Sequence, residues 1–124
     1  MTNEKASRDD DLQDRLIDFA VRVMSVVEAL PNNRIGNHIA GQLSRSGTAP
    51  APNHGEAQSA ESRKDFVHKM KTALKELRET HVWLLMVQRK PLIKPMEKMD
   101  PIIRECNELI SIFVTSVKTA EKNQ

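Results

Sequence analysis

Residues 62–89 constrain this chain more than any other stretch, because they read as one rod with three unlike sides. At about 100° per residue, Phe66, Met70, Ala73, Leu77, Thr80 and Leu84 share a face that suits a core. Lys64, His68, Lys71, Lys75 and Arg78 run down another face at spacings of 4, 3, 4 and 3. Glu61, Asp65, Glu76 and Glu79 fill the flank between them. Ser62-Arg63-Lys64-Asp65 resembles a capping box with Asp in place of the usual Glu, and Pro91 closes the segment. A helix of that length spans roughly 42 Å.

The other segments carry the same period. Asp9, Asp10 and Asp11 stand where a first helix would begin, since carboxylates favour the positive end of the helix dipole. Leu12, Leu16, Phe19, Val23, Val27 and Leu30 then trace its core stripe, and Pro31-Asn32-Asn33 ends it. Residues 1–8 are polar, aperiodic and expected to form a disordered tail.

A second helix starts near Asn33, with Ile35, Ile39 and Leu43 one turn apart. Gly36 and Gly41 either let another helix come close or weaken this one. Ser46-Gly47 reads as an interruption, and Pro50 and Pro52 forbid an ordinary hydrogen-bond ladder, so a bend is expected before Glu56. The last helix is expected from about Pro95, with Met99, Ile102, Cys106, Leu109, Phe113 and Val117 as its apolar face and 121–124 as a frayed end.

The 124 residues suit one domain. With only 3% aromatic residues and no Tyr, an all-β fold is disfavoured. The expected fold is all-α: an antiparallel up-down four-helix bundle over residues 9–120 whose second helix is interrupted by proline.

Charge is unevenly spread, although the whole chain is only +2. Residues 1–30 hold four basic and seven acidic side chains, whereas residues 61–90 hold eight basic and four acidic. A line of cations one turn apart can track a phosphate backbone without reading sequence, and Arg45 and Arg63 would extend it. Scarce aromatics leave little for base stacking, so such binding would be salt-sensitive and non-specific. The alternative is a solvated face, or one paired with the acidic first helix of its own or a neighbouring chain.

The rod also changes character along its length. Val82-Trp83-Leu84-Leu85-Met86-Val87 is apolar all round, and Ile17, Val21 and Met24 widen the apolar arc of the first helix. Either the rest of the chain wraps these faces or a second subunit does. Val82, Trp83, Met86 and Val87 are accordingly candidates for a homo-oligomer interface.

Catalytic patterns are missing. His38, His54, His68 and His81 make no metal-binding pair at helical spacing, and a lone Cys106 offers neither a disulfide nor a cysteine-based metal site. The four glycines match no nucleotide loop. His54 and Glu56 are the nearest thing to an acid–base pair, and a remote one. No cofactor, metal or enzymatic activity is expected. There is no secretory leader and no apolar run of membrane-spanning length, so the expected location is cytoplasmic.

The stretch from Arg45 to Trp83 resembles the four-helix-bundle proteins encoded in 23S ribosomal RNA intervening sequences. The elements that carry it are Arg45-Ser46, Ala49-Pro50, Asn53 with Glu56, Ser62 to Phe66, and Ala73-Leu74 through Glu79. The resemblance implies a bundle that assembles into a ring, plausibly a pentamer. It also implies kinship with the nucleic-acid-binding accessory variability proteins of diversity-generating retroelements. Pro52 and the modest net charge depart from that pattern. In a ring the basic stripe would be repeated, and avidity would strengthen weak contacts. A non-enzymatic protein-interaction or scaffold role is the alternative. Asn53 and Glu56 read as polar side chains that satisfy backbone groups freed by the proline break.

Overall fold

The computed structural model describes the backbone of residues 4–123 and the side chains of residues 11–123. Its helices are α1 (Glu4–Ala29), α2 (Arg34–Thr48), α3 (Pro50–Gln58), α4 (Arg63–Arg89) and α5 (Asp100–Lys122). A 3₁₀ turn, Met96–Met99, precedes α5. Of the tail expected over residues 1–8, the first three lie outside the described residues, and from Glu4 the chain is helical.

Helices α2 and α3 form one bent arm. Ala49 between them keeps helical dihedrals (φ −72°, ψ −35°), and the Asn53 N–H still donates to Ala49 O at 3.1 Å. The two prolines therefore remove ladder bonds without unwinding the backbone. With this arm, α1, α4 and α5 make the four-helix bundle. In it α1 packs on α2, α3 and α5, and α4 packs on α2, α3 and α5. α1 and α4 stand at opposite corners.

Local chemistry sets the ends. Asn33 Oδ1 accepts from Gly36 N at 2.8 Å to cap α2, and Ser62 Oγ accepts from Asp65 N at 3.0 Å to cap α4. The last helix starts at Asp100 rather than near Pro95, because Pro101 occupies its first turn and residues 96–99 tighten into the 3₁₀ turn. Gln88 Nε2 pins that turn by donating to Met96 O at 3.2 Å and Asp100 Oδ1 at 2.7 Å.

The core joins Leu16, Phe19 and Val23 of α1 to Ile39 and Leu43 of α2, Leu77 and Leu84 of α4, and Leu109 and Phe113 of α5. At the start of α4 the fully inward position belongs to Val67, with Phe66 half-buried beside it. Ser46-Gly47 does not interrupt α2. Both residues are buried, and a Cβ on Gly47 would lie 2.6 Å from Val23 Cγ1, so the missing side chain is what lets α1 and α2 close together. Gly41 faces open space.

Candidate nucleic-acid interface on the outer face of α4

Every member of the basic stripe is exposed. Lys64, His68, Lys71, Lys75 and Arg78 point away from the bundle, because Met70, Ala73, Leu77 and Thr80 hold the opposite side of α4 in the core. Lys71 Nζ pairs with Glu121 Oε2 of α5 at 2.9 Å. Both partners are well exposed, so this pair is weak.

The acidic flank is turned to the neighbouring helix. Arg45 of α2 donates to Glu76 Oε2 at 2.9 Å and also bonds Glu79. The Trp83 indole N–H donates to the same Glu79 carboxylate at 3.1 Å. Arg45 is thus committed to the acids and does not extend the stripe. Its effect is indirect: it occupies the two carboxylates closest to Lys75 and Arg78 along the rod.

Beyond Arg78 the same outer face turns apolar. Val82 is 50% exposed and Met86 45%, and Ile35 of α2 opens beside them at 51%. The other two residues expected at an interface behave differently. Val87 is fully buried in the core of its own chain, which removes it from any surface a second subunit could touch. Trp83 is half-buried, edge-on to the His38 ring at 5.8 Å between centroids. Both lie on the side of α4 that turns towards the α2 arm and the core, away from Val82 and Met86.

At the bend, His54 and Glu56 do not come together. His54 is fully buried, with Nδ1 2.6 Å from Gln13 Oε1, Nε2 3.2 Å from Gln58 Nε2, and its ring edge-on to Phe113. Glu56 is exposed and pairs with Lys69 of α4 at 3.6 Å. α3 starts without a side-chain cap, and the Glu56 carboxylate reaches across to the next helix.

Two inward polar contacts, one fully and one partly buried, leave no local signal in the sequence. Ser46 Oγ and Thr80 Oγ1 are 2.9 Å apart, and Gln13 meets His54. Helical periodicity could not reveal partners 34 and 41 residues away. Among the described residues, no group of three His, Cys, Asp or Glu side chains is placed to hold a metal, and no helix is long and apolar enough to cross a membrane.

The class this defines is an all-helical bundle whose distinctive chemistry lies on the outside of one helix. The chain belongs to the 23S rRNA-intervening sequence protein family, whose model matches residues 8–115. A similar solved structure is that of a protein with unknown function from the S23 ribosomal protein family of Bacteroides thetaiotaomicron VPI-5482. It matches with a TM-score of 0.80 and 33% identity, over 89% of this chain and 97% of that one. No curated protein matches the chain.

Proposed function

We propose that this chain is a non-enzymatic, cytoplasmic bundle protein that assembles with copies of itself, as a ring of about five, and binds RNA or DNA weakly through α4. The observation that carries this reading is the exposure of Lys64, His68, Lys71, Lys75 and Arg78 along a single helical line. Lysine and arginine on such a line release counterions from phosphates whatever the base sequence.

Retention of RNA measured against salt tests it. Neutralising Lys71, Lys75 and Arg78 together is expected to flatten the slope of log affinity against log salt by about 2, at roughly 0.7 per lost phosphate contact on a single strand. Unchanged retention overturns the reading. A second reading, a protein-interaction module without a nucleic-acid role, is favoured by the exposed Ile35, Val82 and Met86. It predicts no salt-sensitive RNA retention at all.

A further inference from the structure

We infer that the cationic site has a second wall on α5: Lys118 and Lys122 meet the same phosphates as the line on α4, and Glu121 between them holds the place of a phosphate on Lys71. The inference rests on the nucleic-acid part of the proposed function and completes its site.

The contact between Lys71 and Glu121 fixes where the second wall stands. Their Nζ and Oε2 atoms are 2.9 Å apart, so the last turns of α5 pass beside the middle of the basic line. Val117 and Ala120 of α5 are buried in the bundle, and Glu121 stands one step round from Ala120, on the flank that meets α4. At about 100° per residue, Lys118 lies roughly 60° farther out on that same flank, and Lys122 roughly 100° farther out. Both lysines are exposed. On α4, Lys64, Lys71 and Arg78 recur every seven residues, which stacks them along about 21 Å of the rod. Axes of packed helices lie about 8–10 Å apart, so two rows of cations border one shallow channel. A single strand laid in it meets lysine from both sides.

The acids nearby are turned elsewhere. Glu76 and Glu79 bond Arg45 of α2. Glu105 and Glu108 of α5 pair with Arg15 of α1 at 2.7 and 3.2 Å. Asp100, at the far end of α5, accepts from Gln88. Glu121 is the exception, and its carboxylate gives Lys71 the charge-assisted contact that a phosphate oxygen would give. The pair is solvated on both sides and therefore easily displaced. Lysines near a helix C-terminus also complement its dipole. That role alone would change stability and leave the salt dependence of binding untouched.

Retention of a single-stranded oligouridylate against salt, measured on the full chain, tests the wall. Lys118→Gln with Lys122→Gln is expected to flatten the slope of log affinity against log salt by about 1.4, at roughly 0.7 per lost phosphate contact. Glu121→Gln is expected to bind about two- to five-fold tighter at low salt, with a steeper slope. Lys94→Gln with Lys98→Gln removes the same charge from the opposite end of the bundle and should leave the slope unchanged. Circular dichroism verifies that each variant folds. An unchanged slope in the Lys118 and Lys122 variant overturns the second wall, as does an equal loss in the Lys94 and Lys98 variant. Unchanged or weaker binding by Glu121→Gln overturns the phosphate stand-in. A slope that responds to neutralising Lys71, Lys75 and Arg78 but not to the α5 pair sinks this inference alone; wild type without salt-sensitive retention sinks the nucleic-acid reading and this inference with it.

Discussion

Ser46 of α2 and Thr80 of α4 meet hydroxyl to hydroxyl at 2.9 Å, and both side chains are completely buried. Thr80 Oγ1 also lies 2.8 Å from the Glu76 carbonyl. A relay in which Ser46 donates to Thr80 and Thr80 donates to Glu76 O uses both protons and leaves no buried hydroxyl stranded. Thr80→Val is expected to destabilise the fold by about 1–3 kcal/mol, because it keeps the shape but strands the Ser46 hydroxyl. Adding Ser46→Ala should recover part of that loss. Urea unfolding of the two single variants and the double completes the cycle.

Two of the glycines of α2, Gly47 and Gly41, should respond in opposite directions. Gly47→Ala drives a methyl group into the buried, β-branched Val23 and is expected to cost about 1–3 kcal/mol. Gly41→Ala meets nothing and relieves a flexible helix position, so a gain of about 0.5–1 kcal/mol is expected. Thermal melts of the two variants measure both.

Val82 and Val87 give the same contrast on α4. Val87→Ala removes methyl groups from a fully buried site and is expected to cost about 1–3 kcal/mol. Val82→Ala, half exposed, should stay within about 0.5 kcal/mol in a dilute monomer. Equal losses would contradict the burial described for this half of α4.

Cys106 ties stability to high pH. Burial, aided by the negative charge of Glu105, pushes its thiol from 9.0 up to about 12. Below about pH 9 both folded and unfolded chains keep the proton, so the contribution is complete there. Between those limits only the unfolded chain gives it up, and stability falls by at most about 1.4 kcal/mol per pH unit. Chemical unfolding at pH 8 and pH 10 should show this slope in wild type and lose it in Cys106→Ala. A thiol reagent at pH 8 should label the unfolded chain far faster than the folded one.

Much of the architecture was legible in the residues alone. Leu16, Phe19 and Val23, or Leu77 and Leu84, announce helices and their inner faces because a single period of 3.6 governs both the backbone and the apolar spacing. Ser62 marks its own cap because the donor it serves is three residues away. The cationic line on α4 was visible for the same reason. Boundaries shaped by competing effects were less so. Ser46-Gly47 looked like a break, yet it is the point where α2 presses on Val23. Pro95 looked like a helix start, yet a 3₁₀ turn comes first.

By itself the sequence determined which stretches are helical, that Ser62 caps the longest of them, and that this rod bears cations on a side of their own. All of these depend on neighbours within a turn or two. Only the tertiary structure decided that Val87 turns inward while Val82 and Met86 turn out, that Arg45 is spent on Glu76 and Glu79, and that His54 sits against Gln13. An all-apolar half-helix has no preferred inner side until other helices pack on it. Partners tens of residues apart are chosen by where the bundle's corners fall, which no local period encodes.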